Sequence, residues 1–354
     1  MKLSPEDLIH IEKHESSVEK LENDLSHFKN GFSNTEIVKP ATLGDGIINL
    51  SSDEESDLIN IYDNCDAEPV KFVPASGAAS RMFRLLHQFL EEYQASDQDY
   101  HSFVQQDKFK DLIHFFKFID KLAFYDDLKE GIKQKGIDFE ALSEGEKALE
   151  LTKQTLTEDG FNMANLPKGL IPFHNYGDKT VTAFEEHFYE SSNYAVKDKI
   201  AKLHFTISKG HLDKFQNKLK EIQPRIESET GVAFDVDFSF QHPSTDTICL
   251  NADGDIFRDE NGEILFRPAG HGALIQNLNE LESDLVFIKN IDNVAHQESH
   301  DEKTKPTHKF KSVLAGLLIK LQQKTFSLLS ELEQKDVADE TIKEAQKFLK
   351  HQLN

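Results

Sequence analysis

The chain has 354 residues, 40 Lys+Arg against 63 Asp+Glu, a formal charge of −23 at pH 7, and 38% hydrophobic residues. That charge excludes a nucleic-acid coat protein and a binder of anionic membranes, because both need a net positive field to meet phosphates. With 27 Phe and many Leu and Ile, the chain can bury a sizeable core, in one large domain or two ordinary ones.

Cys65 and Cys249 lie far apart with no Cys-x-x-Cys, which supports neither a disulfide framework nor a structural zinc site. The opening MKLSPEDLIHIEKHE carries charges where a signal peptide needs its apolar stretch, and no apolar run reaches the roughly eighteen residues of a membrane span. A soluble cytoplasmic protein is expected. Arginine is scarce, confined to Arg81, Arg84, Arg225, Arg258 and Arg267, so its placement is informative.

Residues 1–66 read as an acidic, helical appendage. Ser4, Pro5, Glu6 and Asp7 form a helix start, and Val18, Leu21, Leu25 and Phe28 make one apolar stripe. Ser52 with Glu55 predicts a capping box for a further helix. At Val70 the composition changes. Lys71-Phe72-Val73 is a short strand, Pro74 to Arg81 a small-residue turn, and Met82, Leu85, Leu86, Phe89 and Leu90 a helical pattern. Residues 83–165 read as a helical insertion.

From Lys168 on, strands and helices alternate. Residues 202–208 predict a strand, 211–222 a helix, and Phe234 to Gln241 an alternating strand. Asp253-Gly254 and Asn261-Gly262 mark turns of a small β-ribbon. The apolar run Leu285-Val286-Phe287-Ile288 predicts a strand in the middle of the sheet. Phe310, Val313, Leu314, Leu317, Leu318 and Leu321 form an amphipathic helix, and another follows to the end. The expected class is α/β with a mainly parallel sheet, helical flanks, a core over 67–302 and C-terminal helices over 303–354.

Four segments carry candidate chemistry. In Ala75 to Arg81, small residues after a strand let backbone amides approach phosphate oxygens, and Arg81 supplies bidentate charge. In Pro167-Lys168-Gly169-Leu170-Ile171-Pro172, a lysine is held on a stiff backbone as a fixed point charge; Gly177-Asp178-Lys179-Thr180 after it reads as a helix opening. In Arg267-Pro268-Ala269-Gly270-His271-Gly272, glycines let the backbone press on a ligand. In Lys289-Asn290-Ile291-Asp292-Asn293, a carboxylate beyond a strand end suits Mg²⁺. The bland alternatives are a tight turn, a loop lysine, a helix entry and a loop cap. The histidines, His174, His204 and His211 among them, show no metal-ligand spacing and read as structural or surface residues.

Taken in order, the four segments resemble the sugar nucleotidyltransferases of the nucleotide-diphospho-sugar transferase superfamily, whose fold is the Rossmann-like GT-A three-layer sandwich. The likeness is greatest to UDP-sugar pyrophosphorylases, whose Pro-x-Gly-His-Gly and Asn-x-Asp-Asn motifs match residues 268–272 and 290–293, and whose Phe-Gln pair matches Phe240-Gln241. The run KFVPASGAASRMF is also similar to that of an uncharacterised bacterial domain family.

The resemblance implies that Ser76, Gly77, Ala78 and Ser80 cradle a triphosphate, Arg81 clamps it and Lys168 meets the α-phosphate. Gln241, Gly270, His271 and Gly272 would hold base and ribose, Asp292 would hold Mg²⁺, and Arg267 could meet a substrate phosphate. The implied reaction is uridylyl transfer between UTP and a sugar 1-phosphate with release of pyrophosphate. Ser76 and Ala79 depart from the usual glycines, residues 82–167 intervene between Arg81 and Lys168, and no second carboxylate and lysine are identifiable after Asp292. A non-catalytic nucleotide-binding module and a GT-A glycosyltransferase using Asp235-Val236-Asp237 remain alternatives, and the oligomeric state is open. Locally the charge is not hostile to one nucleotide: residues 71–84 hold Lys71, Arg81 and Arg84 with no acid.

Overall fold

The computed structural model describes residues 3–94, 98–296 and 305–352, so the expected boundary between 302 and 303 lies outside the described residues. The chain forms two compact units: Met1–Asn34 with Pro69–Glu298, and Thr35–Glu68 with Ser299–Asn354. The first 66 residues are therefore divided between units. No helix among the described residues is long and apolar enough to cross a membrane.

The first unit is built on a four-stranded, fully parallel sheet: β1 (Pro69–Pro74), β2 (Ile200–Thr206), β3 (Ala233–Ser239) and β4 (Leu285–Ile288), in the order β4-β1-β2-β3. The protein is thus of the α/β class. All six residues of β1 are buried, including Lys71. The expected central strand Leu285–Ile288 is instead an edge strand with Ile288 51% exposed. A wholly apolar run does not separate an edge from a centre, whereas β1 is central despite its lysine.

Helices Ala183–Ser191 and Leu212–Thr230 cover one face of the sheet, packing Phe184, Phe188, Phe215, Ile222 and Ile226 against Leu203 and Phe205. The helix starts at Ala183, capped by Thr182 with Glu185, and Thr180–Thr182 is a strand paired with Pro172–Asn175, so the expected opening at Gly177 to Thr180 is shifted. Asp235 and Asp237 are exposed positions within β3, and Asp237 stands opposite His204 in register, which makes the Asp-x-Asp string a strand face.

Between β1 and β2 the chain makes the helical lobe anticipated for residues 83–165. Helices Arg84–Gln94, Tyr100–Val104, Lys110–Lys117, Tyr125–Gln134 and Glu144–Leu156 enclose a separate core around Phe89, Phe103, Phe109, Leu128 and Ile132. In the N-terminal segment, helices Pro5–Lys13 and Val18–Asn30 pack Ile11 and Leu21 against Ile248 and Ile264 of the β-ribbon. Arg258 forks onto Asp7 at 2.6 and 2.8 Å, and these hydrogen bonds hold the Asp7 carboxyl down to about 2.

In the second unit, helix Ser52–Asp63 packs on Lys305–Leu332, and Asp339–Gln352 packs on the latter. The cap of the first is Ser51 with Glu54, one residue before the expected pair, since only Ser51 has the extended backbone a cap requires. The predicted stripe on Lys305–Leu332 is also rotated: Val313, Ala315 and Ile319 are buried while Phe310, Leu314 and Leu318 are exposed.

Gly316 explains how closely the two helices approach, because a Cβ there would sit 1.9 Å from the Leu58 carbonyl oxygen. In an open helix Gly→Ala is favourable by about 1 kcal/mol. Here overpacking of about 1–3 kcal/mol opposes it. Gly316→Ala should lower the urea midpoint of the second unit's helices, followed by circular dichroism; an unchanged or raised midpoint would contradict the contact.

Candidate functional site

The strand order reverses between β1 and β4, since the chain proceeds from β1 to β2 on one side and β4 pairs with β1 on the other. Open α/β sheets place ligands outside the carboxyl ends of the strands at such a reversal. The loops leaving β1 and β4 are the Ala75 to Arg81 and Lys289 to Asn293 segments.

These loops are brought together by backbone pairing. Lys168 N donates to Gly77 O at 3.0 Å, Ala79 N donates to Leu166 O at 3.2 Å, and Ala78 bridges Pro167. The two ends of the helical lobe are therefore zipped to each other, which reunites the Arg81 and Lys168 segments despite the residues between them. Ile291 N donates to Pro74 O at 3.4 Å, and the side chains of Ile291 and Phe215 pack on Gly169, where a Cβ would come within 3.1–3.2 Å of them. The result is a 2.9 Å ion pair between Lys168 Nζ and Asp292 Oδ2, with side chains 29% and 46% exposed.

The Lys168 hydrogen bond holds the Asp292 carboxyl below the usual carboxylate range, against the upward push of partial burial and with help from the Lys168 and His271 charges. His271 is thus within electrostatic reach of Asp292. The pair contributes fully above the unfolded-chain value of about 3.9 and is lost as pH falls through the lowered folded value.

Ser76 is half-buried, and its carbonyl accepts from Ser208 Oγ at 3.1 Å, a contribution from the β2 exit that motif spacing did not reveal. Gly77, Ala78, Ser80 and Arg81 are exposed, and among the described residues the Arg81 guanidinium makes no hydrogen bond or ion pair. Ala79 is buried in the core of the helical lobe, which accounts for a methyl where the resemblance has glycine.

Gly270 and Gly272 flank His271 in an exposed turn, Gly270 at φ −70°, with open space where a Cβ would be at either glycine. Neither glycine is required by packing, so each leaves the backbone open to an incoming group. Asn277 anchors the short helix that follows this turn under β3, donating to Ser239 Oγ at 3.0 Å and to Phe240 O at 2.9 Å.

Gln241 lies two residues beyond β3, and its amide donates to Asp246 Oδ1 at 3.2 Å. His14 Nε2 donates to the other oxygen at 3.0 Å, so the amide is held in place from the N-terminal segment. Arg267 is exposed at the end of the ribbon strand Phe266–Arg267. No hydrogen bond or ion pair joins Gln241, Arg267 or Arg81 to the Lys168–Asp292 pair among the described residues.

Lys71, counted with the basic residues near the site, is fully buried instead. Its Nζ lies 3.3 Å from Glu190 Oε1 and donates to His187 O at 3.1 Å. Lys289 Nζ donates to Glu190 Oε2, and the Tyr194 hydroxyl to Oε1, each at 2.6 Å. Burial pushes the Glu190 carboxyl up, but the Lys71 and Lys289 charges and these hydrogen bonds prevail and hold it well below its ordinary value. His187 is driven well below its ordinary value by burial and the Lys71 charge, so it is neutral and donates from Nε2 to Ile291 O at 3.1 Å. Nothing in local periodicity marks this cluster.

The family described as a domain of unknown function (DUF4301) matches residues 4–354. No curated protein and no solved structure matches the chain.

Replacing Lys168 by alanine should raise the Asp292 pKa toward about 3.9. Carbon-13 NMR titration of the carboxyl reads this directly, and an unmoved value would mean that the ion pair does not govern the site.

Proposed function

The chain belongs to the DUF4301 family, and we propose that its carboxyl-end crevice binds a nucleoside triphosphate or nucleotide sugar. The specific reading is uridylyl transfer between UTP and a sugar 1-phosphate with release of pyrophosphate, on a GT-A-like nucleotide-diphospho-sugar transferase core. The observation that carries it is the 2.9 Å Lys168–Asp292 pair beside Gly77, which draws three of the ordered motif segments to the strand reversal.

Lys168 would leave Asp292 to meet the α-phosphate as a fixed cation, and the exposed Arg81 guanidinium would bind the outer phosphates bidentately. The open backbone at Gly270 and Gly272, with His271 and the pre-oriented Gln241 amide, would receive ribose and base, and Arg267 a substrate phosphate. Such transfer depends on positioning and charge neutralisation and needs no nucleophilic side chain.

A divalent ion fits this reading in a limited way. Among the described residues no three His, Cys, Asp or Glu side chains form a metal-holding group. Mg²⁺ is commonly held by one or two carboxylates together with substrate phosphates, so Asp292, 46% exposed even while paired with Lys168, suffices as the protein's ligand. Bound there, the ion would offset phosphate charge.

A second reading is a nucleotide-binding module without turnover, supported by Ser76, whose half-buried side chain adds bulk beside the phosphate loop. The glycosyltransferase alternative loses support because Asp235 and Asp237 lie within β3 rather than at its carboxyl end.

Labelled pyrophosphate should exchange into UTP in the presence of a sugar 1-phosphate and Mg²⁺, with Lys168→Ala and Asp292→Ala each reducing exchange about 10²-fold or more. Exchange surviving both substitutions would refute the site. A rise in thermal midpoint with UTP and Mg²⁺ but no exchange would favour the module.

A further inference from the structure

A second ionisable cluster, on the strand that follows the Lys168 turn, is left unused by nucleotide binding. The strand Pro172–Asn175 begins two residues after the Lys168–Leu170 turn, and its His174 donates from Nδ1 to Glu186 Oε1 at 2.6 Å. Glu186 is fully buried, and the Tyr176 hydroxyl donates to the same oxygen at 2.8 Å. A buried carboxylate bonded to Nδ1–H fixes the tautomer of an imidazole and leaves the lone pair on Nε2. Among the described residues no protein group hydrogen-bonds His174 Nε2, and the side chain is 20% exposed.

Two further contacts tie this dyad to the Asp292 loop. His187, next to Glu186 on the same helix, bonds the carbonyl of Ile291. His296, four residues past Asp292, places its ring 5.3 Å from that of His174, stacks on Tyr176 at 3.9 Å and donates from Nε2 to Asn175 O at 3.2 Å. Among the described residues, Glu186 bonds the His174 imidazole, Tyr176 shares its carboxylate oxygen, and His296 packs against the ring. His174, Glu186 and His296 do not constitute a metal-holding group. Proton transfer is the chemistry this arrangement favours, because Glu186 stabilises the imidazolium formed when Nε2 accepts a proton.

We propose that His174, with Glu186 as its positioning residue, is the proton acceptor of the crevice, and that the protein transfers a nucleotidyl group to a hydroxyl acceptor, water included. This rests on the nucleotide reading and extends it, since a sugar 1-phosphate attacks as an anion and requires no base, whereas a hydroxyl does. The acceptor proton passes to Nε2 as its oxygen bonds to the α-phosphorus. The bond from that phosphorus to the bridging oxygen breaks, and pyrophosphate leaves with the electron pair. With water, UTP gives UMP and pyrophosphate.

The test is incubation of the full chain with UTP and Mg²⁺, without sugar phosphate, with UMP measured from pH 5 to about 9, the range that brackets imidazole titration. UMP release should show a limb that falls toward acid, because the acceptor must be unprotonated, and should drop about 10²-fold or more in His174→Ala. Added imidazole should restore part of that loss, and Glu186→Gln should displace the pH limb. His174→Ala at wild-type rate overturns the proposal, as does a loss that imidazole does not restore together with an unmoved limb in Glu186→Gln. Calorimetric UTP binding without UMP release overturns the dyad and spares the nucleotide reading; absence of UTP binding overturns both.

Discussion

Glu190, with no access to solvent, holds two lysines, Lys71 in the centre of β1 and Lys289 at the exit of β4, and the geometry of the crevice follows from that constraint. A charge in the core of a parallel sheet is tolerated only when paired and hydrogen-bonded, and removing one partner of such a pair typically costs about 3–5 kcal/mol. The carboxylate lies on helix Ala183–Ser191. Pairing therefore locks that helix across the two strands whose loops carry the site. Once the helix is placed, His187 reaches the Ile291 carbonyl and Glu186 reaches His174.

The helical lobe is compatible with this arrangement because its two ends are paired where they enter and leave. Gly77, Ala78 and Ala79 on one side meet Lys168, Pro167 and Leu166 on the other, so the lobe adds a separate core without moving the Ala75 to Arg81 loop from the lysine. Ala79 belongs to that lobe core, and the loop preceding it retains exposed amides at Gly77 and Ala78. The sheet thus supplies position for the loops, and Asn277 anchors the His271 turn under β3.

Much of this was legible from short-range pattern. The strand, small-residue turn and helix at Val70 to Leu90, the helical insertion, the turns at Gly254 and Gly262 and the strand around Phe234 each depend on neighbours a few positions apart, which periodicity and turn chemistry report. What escaped depends on distant partners. Lys71 looked like surface charge because Glu190 is remote in sequence, and Leu285–Ile288 looked central because apolarity does not reveal which strand pairs on both sides. The stripe on Lys305–Leu332 was misplaced because hydrophobic residues surround much of that helix, and the face buried is chosen by the backbone approach at Gly316. Motif order put Lys168 and Asp292 in one expected site but did not foretell that they pair with each other, and the His174–Glu186 dyad left no trace in spacing, since the Pro172–Asn175/Thr180–Thr182 turn separates its members.

The central claim is that the Lys168–Asp292 pair is the protein's own occupant of a phosphate site. A crystal structure with UTP and Mg²⁺ tests it most directly. The account predicts the α-phosphate within hydrogen-bond distance of Lys168 Nζ, the ion pair opened and Asp292 turned to the metal. Nucleotide bound at another surface, with Lys168 and Asp292 still paired, would contradict it.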